Sequence, residues 1–124
     1  MSLHPNQASL NFEWSELECK CGCGTRHISS LAIEALQKVR DALGVPLTIN
    51  SAARCPSWNG EVGGTLGSRH LSITDEQYST AFDVSTRNIS AEELKHEAIQ
   101  AGFKGIGTYD TFVHIDIRSR KARW

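Results

Sequence analysis

Three residues that lie far apart in the chain form a set that could bind a catalytic metal ion. His70 follows a glycine-rich stretch, Asp83 lies in the mostly apolar segment 81–84, and His114 is near the end of the chain. Two imidazoles and one carboxylate can hold Zn²⁺ and leave one coordination position for water, as catalytic zinc requires. Their spacing alone leaves a second interpretation open, in which both histidines are ordinary hydrogen-bonded residues.

Four cysteines form another group of candidate ligands. Cys19, Cys21 and Cys23 alternate along the chain, so their sulfurs would share one face of an extended segment, and Cys55 is isolated downstream. Structural zinc sites usually space their cysteines by two to four residues, which this run does not do. We therefore expect buried reduced thiols or a bridge to Cys55, with a structural thiolate metal site as the alternative.

Two helices are the clearest elements that must position these residues. Apolar residues at helical spacing predict a helix from Ser30 to Leu43, capped by a serine and ended by Gly44. A second helix is predicted over residues 90–100, where Ser90 is the N-cap. A short helical turn is expected over residues 57–62.

Strands account for most of the remaining pattern. We expect one strand within residues 45–54 and a closing hairpin formed by residues 105–109 and 112–117. Alternation in the last strand places His114 and Asp116 on the same face. The order of elements predicts an α+β fold, with a small, mainly antiparallel sheet packed with two to three helices.

Length and composition limit the function classes. The 124 residues suffice for one domain, 1–124. Thirteen Lys and Arg against fourteen Asp and Glu give a formal charge of −1, which argues against a nucleic-acid partner. No apolar run reaches the roughly 18 to 20 residues of a membrane span, and the first residues lack a signal-peptide pattern. We expect a monomer that is synthesised in the cytoplasm without insertion into a membrane.

Ordered blocks of the sequence resemble one known family. Residues 49–59, 62–64, 67–71, 81–84 and 112–118 together resemble the zinc peptidases of the D-Ala-D-Ala carboxypeptidase family. The resemblance implies the fold that this family shares with lysostaphin-type peptidases and the hedgehog signalling domain. It is closest to the small single-domain members of phages and prophages, including their cysteine-rich segment 19–24 and the closing Arg123-Trp124.

The resemblance implies roles for individual residues. It makes His70, Asp83 and His114 the three zinc ligands, and it makes Arg54 the catalytic group that binds a substrate carboxylate or the polarised carbonyl oxygen. Ser68, in the block that precedes the first ligand, is expected to bind substrate as well.

One departure from the family lies between the first two ligands. His70 and Asp83 are thirteen residues apart, farther than the family pattern places them, and Ser79 stands where the family has a glycine. We interpret the segment 72–78 as containing an insertion, because surface loops tolerate insertions well. Asp75 lies inside it and is a rival metal ligand.

A second departure concerns the general base. Several relatives place an acidic residue or a histidine a few positions before the last zinc ligand, where this chain has Thr111. We favour Asp116 as the catalytic base because it shares a strand face with His114, and Asp110 in the preceding turn is the other candidate. In its alternative role Asp116 would be a carboxylate that orients a ligand or pairs with an arginine.

The resemblance implies a cell-wall substrate. The expected partner is a peptidoglycan stem peptide, cut either between D-Ala and D-Ala or between L-Ala and D-Glu. In a phage this would be an endolysin that reaches the wall after release by a holin. Two alternatives stay open at this point, a non-catalytic binding module like the hedgehog domain and a virion structural protein that uses zinc for stability.

Overall fold

The protein combines short strands with two longer helices. The computed structural model describes residues 3–23, 26–63, 69–70 and 78–124. In chain order these residues form β1 (Gln7–Ser9), β2 (Phe12–Glu13), α1 (Trp14–Leu17), α2 (Ser30–Leu43), β3 (Ile49–Ser51), α3 (Pro56–Glu61), β4 (Ala81–Ser85), α4 (Ala91–Ala101), β5 (Gly105–Thr108), β6 (Phe112–Asp116) and β7 (Ala122–Arg123). The predicted α+β class is confirmed, with four helices in the described residues.

A five-stranded sheet carries the candidate site. Its strand order is β3-β4-β6-β5-β7, and every pair is antiparallel except β5 with β7. The predicted closing hairpin is therefore present as β5 and β6. The strand predicted within 45–54 is confined to β3. Strand β4 was not predicted, because four of its five residues are buried and the sequence shows no polar alternation there.

Both long helices begin and end beside capping residues. The Oγ of Ser29 accepts the backbone N–H of Ala32, and Gly44 ends α2 in the left-handed region at φ +67°. The bounds of α2 are those predicted. In the same way the Oγ of Ser90 accepts the N–H of Glu93, so Ser90 is the N-cap as predicted, and α4 extends one residue past the predicted end, to Ala101.

The sheet divides its side chains between an apolar core and the candidate site. Residues Phe82 and Val84 of β4 and Val113 and Ile115 of β6 are fully buried and belong to the same core cluster as the inward residues of α2 and α4. Because side chains alternate along a strand, the residues between them project from the opposite face. Asp83 and His114 are among those intervening residues.

The N-terminal segment is joined to the sheet by backbone hydrogen bonds. The N–H of Ala53 donates to the carbonyl of the buried Leu17 at 3.1 Å. Ser79 donates its N–H to the carbonyl of His27 at 2.7 Å and accepts the N–H of Ser29 at 2.8 Å. These contacts bring the cysteine-rich segment next to the loop that follows β3.

Among residues 3–23, 26–63, 69–70 and 78–124, no helix is both long and apolar enough to cross a bilayer. This agrees with the absence of a long apolar run in the sequence.

Gly105 on β5 supplies a test of the packing behind the site. A Cβ at this position would overlap the carboxylate of Asp116 and lie 2.5 Å from Nε of Arg118. We expect Gly105→Ala to lower the free energy of unfolding by about 1–3 kcal/mol, as overpacked core substitutions do, measured by urea denaturation. Gly60→Ala is the matched control, because the helical Gly60 has open space around it. Equal stability of both variants would contradict this packing.

Candidate metal centre

The sheet and the segment before it bring the three predicted ligands together. Asp83 on β4 lies directly opposite His114 on β6 in the antiparallel register. His70 is held beside them by its backbone, because its carbonyl accepts the N–H of Arg54 at 2.8 Å. One possible ligand atom from each of the three residues lies within 4.8 Å of the others. The set predicted from residue types therefore forms one compact cluster.

One oxygen of Asp83 lies between the two imidazoles. Its Oδ1 is 3.1 Å from Nε2 of His70 and 3.0 Å from Nδ1 of His114. The ring centroids of the two histidines are 5.1 Å apart, at an interplanar angle of 78°. His70 and Asp83 are buried, whereas His114 is partly exposed. The cluster thus opens to solvent on the side of His114.

The outer nitrogen of each histidine is held by an acceptor. Nδ1 of His70 lies 2.8 Å from the carbonyl oxygen of Ala52, and Nε2 of His114 lies 2.8 Å from Oδ2 of Asp116. A carbonyl or carboxylate oxygen can only accept, so each outer nitrogen carries the proton. When the protons that face Asp83 are released, Nε2 of His70 and Nδ1 of His114 can bind a metal ion.

The carboxylates beside the two imidazoles favour a positive charge at the centre. Burial alone would raise the pKa of Asp83, but the hydrogen bonds from His114 and His70 outweigh it and hold that pKa well below its usual range. Burial would lower the pKa of His114, whereas its bonds to Asp116 and Asp83 raise it above the ordinary value. A metal cation between the imidazoles and Asp83 would supply the charge that the histidine proton otherwise provides.

Asp116 lies behind His114, on the side of the ring away from Asp83. Its side chain is fully buried, and it accepts hydrogen bonds from Nε and Nη2 of Arg118 at 2.7 and 2.6 Å. Burial would raise the pKa of Asp116, but the bonds from Arg118 and His114 lower it far below its usual range. The choice of Asp116 as general base stays a prediction, while these contacts are those of the alternative, orienting role. Asp110, the other candidate, is exposed in the turn before β6.

The guanidinium of Arg54 places a positive charge beside the three candidate ligands. Its Nη2 lies 3.5 Å from Oδ2 of Asp83, and only 15% of its side chain is exposed. Its Nε donates to Oγ of Ser51 at 3.1 Å, and Nη1 donates to Oδ1 of the buried Asn59 at 3.4 Å. Sequence reasoning did not single out Ser51 or Asn59, although both lie in the block 49–59 that carries the family resemblance.

The aromatic ring of Trp124 packs beside the ring of His114. The centroids of the two rings are 5.1 Å apart, and the guanidinium of Arg118 lies 4.9 Å from the Trp124 ring. The indole N–H donates to the hydroxyl of Tyr109 at 2.8 Å. Gly107, the β5 neighbour of His114, makes room for the indole, since a Cβ there would lie 2.5 Å from its Nε1.

Two sequence predictions concern residues outside the described ranges. Ser68, the predicted substrate-binding residue, and Asp75, the rival ligand, both belong to this group. The same applies to residues 71–77, which hold most of the predicted insertion. These roles stay predictions.

The four cysteines correct the expectation of buried thiols or a bridge. None of the four forms a disulfide, and only Cys19 is buried, whereas Cys21 and Cys23 are exposed. The sulfurs of Cys21 and Cys55 are 3.6 Å apart and not bonded to each other. The spacing of the cysteines in the segment 19–23 does not by itself reveal the approach of Cys55.

Comparison with known families agrees with the geometry of the centre. The sequence pattern of the family Peptidase M15 matches residues 10–116, a range that contains the three candidate ligands, Arg54 and Asp116. The chain belongs to the Peptidase M15 family. It is therefore assigned to a family of metallopeptidases. A search among curated proteins finds no match to this chain.

The position of Asp116 in this M15 chain generates a test of its role. Removing the charge with Asp116→Asn weakens the acceptor that holds His114, so we expect metal affinity to fall about 10- to 100-fold. The affinity is measured by competition with a chromophoric chelator. Asp41→Asn is the control, since Asp41 is exposed on α2. Unchanged metal affinity with loss of turnover in Asp116→Asn would instead support the general-base role.

Proposed function

We propose that the protein is a zinc peptidase that hydrolyses peptidoglycan stem peptides, either as a D-Ala-D-Ala carboxypeptidase or as an L-Ala-D-Glu endopeptidase. One observation carries the proposal. Two imidazole nitrogens and the Asp83 carboxylate converge, and the outer nitrogen of each histidine is already held by an acceptor. Membership of the Peptidase M15 family supports the reaction class.

The donor set suits zinc. His70, Asp83 and His114 offer two nitrogens and a carboxylate, which is three protein ligands, and three ligands leave a fourth position for water or substrate. When bound there, zinc lowers the pKa of water toward about 7 and polarises the carbonyl of the scissile bond.

Arg54 is placed to bind the negative charge of the substrate. Its guanidinium lies beside Asp83, and its contacts with Ser51 and Asn59 fix the direction of the side chain. A planar guanidinium binds a carboxylate with two parallel hydrogen bonds and also stabilises the oxyanion that develops during peptide hydrolysis. We assign Arg54 one of these two roles, depending on which bond is cut.

Other residues shape the site around the reacting groups. Asp116 acts through His114 as a positioning residue, and Arg118 keeps its carboxylate ionised. Trp124 lines the solvent-facing side of His114 and is 47% exposed. Its ring offers an apolar surface to a small side chain such as the methyl group of alanine.

The biological setting belongs to the same proposal. We infer a monomeric lytic enzyme of phage or prophage origin that is made in the cytoplasm and acts on the cell wall after release. The support is the resemblance of the sequence blocks to small phage-type members. The near-neutral charge of the chain fits a wall-peptide partner better than a nucleic acid.

Cleavage of purified peptidoglycan tests the function directly. We expect the zinc-loaded wild type to release D-Ala or new amino groups, and the product masses identify the bond. His114→Ala removes a metal ligand and should abolish cleavage. His96→Ala should cleave like the wild type, because the His96 side chain is 69% exposed on α4.

A negative result would have a defined meaning. If the wild type binds zinc at the histidine centre and cleaves no peptidoglycan from several wall types, the peptidase proposal is wrong. The chain would then be a non-catalytic zinc module of this family.

A second test concerns the guanidinium beside the centre. We expect Arg54→Gln to lower kcat/KM by about 100- to 1000-fold, the loss typical of a missing group that stabilises an oxyanion. Arg87→Gln makes the same chemical change at an exposed position and should leave kcat/KM unchanged. Metal content is measured in both variants. A loss that follows metal content would show that Arg54 supports the centre through Asp83 and does not bind substrate.

A further inference from the structure

The four cysteine sulfurs converge at one point of the surface, apart from the histidine centre. The sulfurs of Cys19, Cys21, Cys23 and Cys55 all lie within 4.8 Å of one another. Sγ of Cys19 is 3.4 Å from Sγ of Cys21, which is 3.6 Å from Sγ of Cys55. None of the four takes part in a disulfide.

The sulfur–sulfur distances are close to those of a tetrahedral metal site with four thiolate ligands. Four sulfurs at about 2.3 Å from a central zinc ion stand about 3.8 Å from one another. The separations of 3.4 and 3.6 Å are close to this value and need only a small expansion. A disulfide joins two sulfurs, whereas here four sulfurs lie within 4.8 Å of one another, as the ligands of one metal ion do.

Backbone amides point at two of the sulfurs. The N–H of Cys55 donates to Sγ of Cys19 at 3.4 Å, and the N–H of Trp58 donates to Sγ of Cys55 at 3.4 Å. A zinc-bound cysteine is an anionic thiolate, and hydrogen bonds to an ionised acceptor are stronger than those to a neutral one. Such outer contacts orient metal ligands. The backbone is therefore already arranged to support thiolates.

We propose that Cys19, Cys21, Cys23 and Cys55 bind one Zn²⁺ ion in a closed, structural tetrathiolate site. Binding displaces the thiol protons to solvent, so no redox step is involved. Four protein ligands leave no position for water, so the ion holds structure and does not hydrolyse. Soft thiolate ligands in tetrahedral arrangement select zinc over magnesium, calcium or manganese.

The site would fix the segment that carries Arg54. Cys55 follows Arg54 directly and caps α3, the helix that supplies Asn59 to the guanidinium. The other three ligands come from the N-terminal segment, which reaches this place through the hydrogen bond between Ala53 and Leu17. The ion would join these two parts of the chain at one point. This assignment does not depend on the peptidase activity.

Metal content of the purified, reduced protein tests the proposal. We expect two zinc ions per chain in the wild type and one in His114→Ala, which loses the histidine centre and keeps the cysteines. Cys21→Ser combined with Cys23→Ser should also hold one ion, and its melting temperature should be lower. These two cysteines are exposed, so their replacement removes little apolar packing. The same metal content in this variant and the wild type would overturn the proposal.

Cobalt substitution separates the two sites by their ligands. Thiolate-to-cobalt charge transfer gives near-ultraviolet absorption that histidine and carboxylate ligands do not give. We expect this absorption in cobalt-loaded wild type and His114→Ala, and its loss in the doubly substituted cysteine variant. Its absence from the reduced wild type would overturn the site even if total zinc were two.

A titration of the wild type covers the case in which the cysteine variant does not fold. A mercurial reagent that binds thiols should release one zinc ion as the four thiols react, and the ion at the histidine centre should stay bound. Release of no zinc, or four thiols that are alkylated equally fast with and without zinc, would show that the cysteines hold no metal.

Discussion

The buried carboxylate of Asp83 is the group on which the centre depends, because one of its oxygens lies close to both imidazoles. The register of β4 and β6 fixes this contact by setting Asp83 opposite His114, and backbone hydrogen bonds hold His70 beside them. Without the carboxylate, two imidazole nitrogens would face each other in a largely buried place with no charged group between them. The sheet register therefore determines the electrostatics of the site as well as its geometry.

A second layer of contacts gives each imidazole a defined tautomer. The carbonyl of Ala52 holds one ring, and Asp116, itself neutralised by Arg118, holds the other. Asp116 is close to the ligand that it orients, because it lies two residues after His114, and it is opposite Gly105 on β5. The glycine is needed there because any side chain would occupy the place of the carboxylate. The glycine at the start of β5 therefore makes room for the carboxylate behind the candidate metal centre.

The sequence predicted local features well and long-range approaches less well. The ends of α2 follow from Ser29 and Gly44, whose capping chemistry is local, and the prediction was correct there. The convergence of the three candidate ligands was predicted because their residue types are few and because ordered blocks resemble one family. The contact of Trp124 with His114 was not predicted, since it depends on β7 pairing in parallel with β5. The approach of Cys55 was expected only in the form of a bridge or a metal site, because it arises from the long-range hydrogen bond between Ala53 and Leu17.

The two clusters share one short stretch of chain. Between β3 and α3, the carbonyl of Ala52 orients His70, the guanidinium of Arg54 contacts Asp83, and the sulfur of Cys55 joins the cysteine cluster. The ligand types of the two clusters predict different roles, one structural and one catalytic. A thiolate set that closes all four positions can only fix the chain, whereas two imidazoles and a carboxylate leave a position open for chemistry. A rigid attachment of this stretch at Cys55 limits the motion of the Arg54 side chain. A group that stabilises the charge developing in the transition state is most effective when it is already held in position.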